Sequence, residues 1–166
     1  MPEPFRIAVS KDYLIFSSAH FITMKGHHCE ALHGHNYRVG IAVEGALDEE
    51  ALFVIDFSVL KQIVRRLVDA IDHRVLLPTG NPKITVREEA DRVLVAVFGE
   101  PKYVFPRRDC AILPIGNSTA EKLAEYLAVQ VRDELGTGGA RGLERLEVEV
   151  EESPGQTATC TLLFGD

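Results

Sequence analysis

Five of the six histidines lie between positions 20 and 35, and two of them, His33 and His35, are separated only by Gly34. On a strand, residues i and i+2 share a face, two rises of ~3.3 Å apart. Imidazoles at that separation can converge on one ion with metal–nitrogen bonds of ~2.0–2.1 Å. His20 ends the preceding strand-like segment and can supply a third nitrogen. Three histidines with no fourth protein ligand leave an open coordination position, the catalytic rather than the structural form of a zinc site. An isolated His-x-His is equally what two ordinary strand histidines would show, so spacing alone leaves both readings open.

The elements that must position these residues can be traced from periodicity. Ile7 to Phe16 is rich in β-branched and aromatic residues and reads as a strand ending near Ser17–His20. Phe21 to Leu32 breaks periodicity and reads as a loop. His33 to Glu44 alternates, with Tyr37, Val39, Ile41 and Val43 on one face, and reads as a second strand paired with the first. Asp56 opens a helix carrying Val59, Leu60, Ile63, Val64, Leu67, Val68 and Ile71 at helical spacing, which gives out near Asp72-His73. Residues 76–117 hold five of the eight prolines and read as an elaborated insert, an extended hairpin or loop with short strands at Ile84–Val86, Val93–Phe98 and Tyr103–Phe105. Ser118-Thr119-Ala120-Glu121 reads as a capping box with Ser118 as the cap, starting a helix to about Leu135. Two strands follow, near Leu143–Glu152 and Thr157–Phe164, joined by the turn-forming Ser153-Pro154-Gly155. This order predicts an α+β domain: an antiparallel sheet with helices on one face and an oligomer partner for the other.

The chain has 166 residues, about one domain, with 46% hydrophobic and 26% charged residues, the balance of an ordinary globular protein. Its formal charge of −7 argues against general nucleic-acid binding, which needs a basic excess. Cys29, Cys110 and Cys160 form no CxxC pair and fit a reducing compartment. With no signal-peptide pattern and no apolar run near the ~20 residues of a membrane span, the expected location is the cytoplasm, with no membrane partner.

Taken in order, several segments resemble the 6-pyruvoyltetrahydropterin synthase family, including its 6-carboxytetrahydropterin synthase branch. Phe16-Ser17-Ser18-Ala19-His20 is similar to the segment carrying the first zinc histidine. Cys29-Glu30-Ala31-Leu32-His33-Gly34-His35-Asn36-Tyr37 resembles its C-x3-HGH-[NS]-[YF] pattern. Val54-Ile55-Asp56-Phe57 resembles the start of the first helix, and Asp72-His73 the catalytic pair at its end. Asn117-Ser118-Thr119-Ala120-Glu121 resembles the start of the second helix, and Val150-Glu151-Glu152-Ser153 the strand end whose glutamate anchors the pterin. The insert is longer than in the short bacterial enzymes.

The resemblance implies a single pterin synthase-like domain over 1–166: four antiparallel strands and two long helices on one face (the T-fold), whose trimers or hexamers close a barrel with active sites at subunit boundaries. It implies that His20, His33 and His35 hold Zn2+ and that 7,8-dihydroneopterin triphosphate is the substrate. Cys29 would be the general base, with His73 sharing its proton and Asp72 orienting the imidazole. Glu152 would receive the guanidine-like edge of the pterin, with Glu151 a neighbouring alternative. Thr119 would either contact the pterin or serve the helix cap. Lys25, His27, His28 and Arg38 are near enough to meet phosphate, or are ordinary surface residues.

Cys29 and Glu30 adjoin, so the segment reads both as C-x3-HGH and as E-x2-HGH. The first resembles the branch making 6-carboxy-5,6,7,8-tetrahydropterin for 7-deazaguanine (queuosine) synthesis. The second resembles members making 6-hydroxymethyldihydropterin for folate with a glutamate base; members carrying both resemble a bifunctional group. A 6-pyruvoyl product by triphosphate elimination is a further alternative. An inactive pterin- or metal-binding oligomer is the non-enzymatic one.

Overall fold

The computed structural model describes residues 3–9, 12 and 14–165. The expected first strand is two: β1 (Phe5–Val9) and β2 (Ile15–His20), with residues 10, 11 and 13 of the interval outside the described residues. Both run antiparallel to the long β5 (His33–Gly45), β1 from Phe5 opposite Gly45 to Val9 opposite Ile41, and β2 from Ile15 opposite Arg38 to His20 opposite His33. At the chain's end, β11 (Leu143–Ser153) pairs with β5, and β12 (Gln156–Leu163) with β11, also antiparallel.

The expected segment between Phe21 and Leu32 is not simply a loop. β3 (Thr23–Met24) and β4 (His28–Cys29) form a small antiparallel ribbon, turning at Gly26, whose φ of 74° is costly for side-chain-bearing residues. Two-residue strands leave no room for periodicity to register.

Among the described residues, the main sheet has seven strands rather than the expected four. β6 (Arg74–Pro78) lies parallel to β2, and β10 (Cys110–Leu113) parallel to β6, extending the sheet past the antiparallel part. Both are short apolar runs without alternation, which periodicity cannot distinguish from other buried segments. Between them, β7 (Ile84–Glu89), β8 (Arg92–Val97) and β9 (Glu100–Pro106) form a separate three-stranded antiparallel sheet. The insert is therefore a small sheet flanked by two strands of the main one. Phe21, Leu77, Ile84, Val93, Val95, Val97 and Cys110 form its core.

Two helices cover one face of the main sheet. α1 (Phe57–Asp69) starts at Asp56, whose carboxylate accepts the Ser58 amide at 2.7 Å, and buries Leu60, Ile63, Val64 and Val68. Val59, expected on that apolar stripe, is 39% exposed. α2 (Ala120–Thr137) buries Leu123, Leu127, Val131 and Leu135 in the same core as Val39, Ile41, Val43, Leu146 and Val148. Its cap is Thr119, whose side chain accepts the Lys122 amide at 3.3 Å, not Ser118 as the capping-box pattern suggested. Ser118 is fully buried, and its hydroxyl donates to the Phe21 carbonyl, so a tertiary contact outweighs the local pattern. Among the described residues, no helix is long and apolar enough to cross a membrane.

Candidate metal centre and flanking acid–base groups

The β2–β5 pairing places His20 directly opposite His33 and Ser18 opposite His35. Strand alternation puts all three histidines and Tyr37 on the face that continues into the core. One ligand atom from each of His20, His33 and His35 lies within 4.8 Å of the others, so the group could hold a metal ion. Their rings meet edge to face, with centroids 4.8–5.1 Å apart. Gly34 allows this close pairing: a methyl there would sit 3.2 Å from the Ser18 carbonyl oxygen on the neighbouring strand.

The nitrogens are arranged for ligation. His20 Nδ1 is 2.7 Å from the Ser118 carbonyl oxygen and His33 Nδ1 is 2.7 Å from that of Ala31. A carbonyl only accepts, so each ring carries its proton on Nδ1 and leaves Nε2 with a lone pair. Among the described residues, His20 Nε2 and His35 Nε2 are buried without a hydrogen-bond partner. Burial holds the His20 imidazole below its ordinary pKa of 6.5, and neighbouring His33 and His35 add to this against the opposite pull of the Ser118 carbonyl and Glu152. A neutral ring is the form that binds a metal. The donor set therefore fits a divalent transition-metal ion, zinc among them.

Glu152 borders the group, its Oε1 3.6 Å from His35 Nε2. It lies at a register shift where Glu151 faces Thr157 and Ser153 faces Gln156. Such a bulge re-aims a side chain. With Glu151 opposite Arg38, the next position comes level with Tyr37 on the histidine face. A cleft of about 380 Å³ opens there, lined by Ile22, Thr119, Glu121, Glu152, Gln156 and Thr157. Thr119 thus serves the cap and lines the cleft. Tyr37, fully buried with its hydroxyl unpartnered, has its pKa raised by burial and further by the charges of Glu152 and Glu30.

Cys29 and Glu30 address different surroundings. The Cys29 side chain packs against the insert's core, and its thiol donates to the Glu30 carbonyl at 3.4 Å. Glu30 is clasped to Ile22: its amide donates to the Ile22 carbonyl at 2.9 Å and its carboxylate accepts the Ile22 amide at 3.3 Å. Its charge is felt at Tyr37, on the histidine side.

Asp72 and His73 form their own unit. Asp72 Oδ2 is 2.9 Å from His73 Nδ1, while Oδ1 accepts the Ser17 amide at 2.7 Å. His73 takes a φ of 56° just beyond α1 and donates its amide to the Ser17 carbonyl, leaving its imidazole exposed. Burial alone would raise the Asp72 pKa, but the Ser17 amide and His73 more than reverse this and hold it below 3.8. The pair sits beside a cleft of about 500 Å³ lined by Ser17, Ala19, Gly34, Asn36 and His73, which touches the metal group only at His35. Ser17, Ala19, Gly34 and Asn36 alternate with the histidine-face residues, so this cleft opens on the other face of β2 and β5. One chain therefore brings the histidines together with Glu152, but leaves Asp72-His73 across the sheet.

Sequence reasoning missed the groups that orient the ligands. Ser118 was absorbed into a capping motif and the Ala31 carbonyl has no side-chain signal. Tyr37 is legible from the strand's alternation as a core-facing residue, but its unpartnered hydroxyl beside the histidines is not.

The family model for 6-pyruvoyl tetrahydropterin synthase matches residues 9–162. A Methanocaldococcus jannaschii protein provisionally named a 6-carboxy-5,6,7,8-tetrahydropterin synthase is 36% identical over 146 residues, covering 87% of this chain and 88% of its own. The 6-carboxy-5,6,7,8-tetrahydropterin synthase of Haemophilus influenzae is 28% identical over 123 residues, covering 72% and 77%. Among solved structures, the 6-pyruvoyl tetrahydropterin synthase of Plasmodium vivax superposes with a TM-score of 0.90 at 34% identity, over 98% of this chain and 100% of that one. Two more structures of the Plasmodium vivax protein carry substitutions of a glutamate described there as a catalytic residue.

Proposed function

Because this chain belongs to the 6-pyruvoyl tetrahydropterin synthase family, we propose that it is a zinc-dependent lyase acting on 7,8-dihydroneopterin triphosphate, with 6-carboxy-5,6,7,8-tetrahydropterin as its product. The observation carrying this reading is the three-histidine group beside Glu152, with two buried Nε2 atoms unpartnered. His20, His33 and His35 would hold Zn2+, which when bound supplies Lewis-acid polarisation of oxygens on the substrate side chain.

The other steps fall to side chains. The Glu152 carboxylate accepts two N–H bonds from the amino-pyrimidinone edge, fixing the ring across the cleft it lines with Thr119. A base beside the histidines removes a carbon-bound proton next to a hydroxyl. His73, held in one orientation by Asp72, shares and returns that proton. Since His73 opens on the opposite face, it would serve a histidine group on another copy. That placement supports a homo-oligomer with active sites between subunits.

A second product reading rests on Glu30. Its carboxylate accepts the Ile22 amide and its charge reaches Tyr37 beside the histidines, whereas the Cys29 thiol packs against the insert, and a catalytic glutamate is named in the Plasmodium vivax structures. A carboxylate base there would give 6-hydroxymethyldihydropterin, with Cys29 retained for the 6-carboxy product. The test is incubation of zinc-loaded protein with 7,8-dihydroneopterin triphosphate and identification of the pterins by mass. A 6-carboxy or 6-hydroxymethyl product supports the assignment, whereas intact substrate beside bound zinc overturns it.

A further inference from the structure

The ribbon that ends in Cys29 and leads into Glu30 has little to hold it by itself. β3 and β4 contribute two residues each, and isolated two-stranded hairpins are marginal even at greater length. What fixes the ribbon comes largely from the insert. Asn81, only 7% exposed, donates from Nδ2 to Thr23 Oγ1 at 2.9 Å, while its Oδ1 accepts the Lys83 amide at 2.9 Å. The Lys83 ammonium donates to two carbonyls of the turn, Met24 at 2.9 Å and Gly26 at 3.3 Å.

The tip of the β8–β9 hairpin completes the grip. Its two turn residues, Phe98 and Gly99, take φ of 53° and 80°. Left-handed backbone is ordinary for glycine but costly for a bulky aromatic residue, so this turn stores strain that a Gly or Asn would relieve. The strained conformation holds the Phe98 ring 4.9 Å from His27 in the ribbon turn and 5.9 Å from Lys83 Nζ. Contacts from Asn81, Lys83 and Phe98, and from Asn117, whose Nδ2 donates to the Thr23 carbonyl at 3.0 Å, thus converge on a seven-residue segment with no core of its own.

We propose that Asn81 and Lys83 are positioning residues: they hold the β3–β4 ribbon so that Cys29 stays packed against the insert while Glu30, next in the chain, stays clasped to Ile22, and thereby set which base meets the substrate. The catalytic consequence rests on the pterin synthase reading above; the mechanical one does not. The insert is then a device controlling product choice.

The experiment compares wild type with Lys83→Met, which keeps the aliphatic stem and removes the donors, and with Thr23→Val, which removes the Asn81 acceptor. Lys83→Arg serves as the conservative rescue. Iodoacetamide alkylation at Cys29, resolved by peptide mass, reads ribbon opening without any substrate, and the pterin product ratio reads base choice. The expected result is ~10-fold faster Cys29 alkylation in Lys83→Met and Thr23→Val, from loss of one charge-assisted or buried hydrogen-bond set. Zinc content should stay unchanged, the product ratio should shift, and Lys83→Arg should recover most of both. Unchanged alkylation in both variants overturns the clamp. Faster alkylation with kcat, KM and product ratio all as in wild type overturns the positioning role. If wild type itself turns over no pterin, the functional reading fails, and because the proposal assigns the clamp a role in base choice, that part falls with it while alkylation still decides the clamp.

Discussion

His20 Nδ1 donates to the carbonyl of Ser118, 2.7 Å away and 98 positions further along the chain. This bond joins the end of β2 to the start of α2 and settles which nitrogen of His20 can bind a metal. His20 is therefore both a candidate ligand and a structural link, while His33, exposed at the strand end, is a candidate ligand whose ring bonds only the nearby Ala31 carbonyl.

The two histidines should separate on substitution. His20→Ala and His33→Ala should both reduce bound zinc from about one per chain to less than about a tenth, measured by elemental analysis. In metal-free protein, His20→Ala should cost ~2–4 kcal/mol by urea unfolding, through the cavity and the orphaned carbonyl. His33→Ala should cost under ~1 kcal/mol. Equal costs would contradict the structural role of His20.

Asp72 predicts an acid limb in stability. Its carboxyl titrates below 3.8 when folded, because the Ser17 amide and His73 outweigh the opposing effect of burial. Between the folded and unfolded values the unfolded chain binds a proton that the folded chain refuses, so stability falls as pH falls. The contribution is complete above about pH 5 and lost as pH drops through the folded value. Urea unfolding of metal-free protein should show the wild-type advantage over Asp72→Asn constant at neutral pH and shrinking in acid. A pH-independent difference would contradict the assignment.

Glu152 should act in binding more than in chemistry. Glu152→Gln keeps the shape but loses the charge, and should raise KM for the pterin ~10–100-fold with little change in kcat and in zinc content. Steady-state kinetics with metal analysis checks this. A fall in kcat at unchanged KM would place the residue elsewhere in the mechanism.

Much of this was legible in residue order and spacing. The His-Gly-His pair on an alternating strand places two rings on one face, and Asp56 followed by apolar residues at helical spacing gives α1. What spacing could not carry is direction and tertiary choice. Asp72-His73 lies across the sheet from the histidines because its cleft opens on the other face of β2 and β5, a fact of three dimensions. Ser118 satisfies a capping pattern yet is buried against Phe21. β6 and β10 join the main sheet in parallel although nothing in their short apolar runs distinguishes them from the insert. Alternation puts Glu151 and Glu152 on opposite faces and a motif favours Glu152; the pairing of Glu151 with Arg38 shows that it is Glu152 that comes level with Tyr37 on the histidine face.

The most direct test of the central claim is product identity by mass after reaction of zinc-loaded wild type, Cys29→Ala and Glu30→Ala with 7,8-dihydroneopterin triphosphate. The account predicts turnover by wild type, with 6-carboxy-5,6,7,8-tetrahydropterin lost in Cys29→Ala and any 6-hydroxymethyldihydropterin lost in Glu30→Ala. An unchanged product in both variants, or no turnover by zinc-loaded wild type, would contradict it.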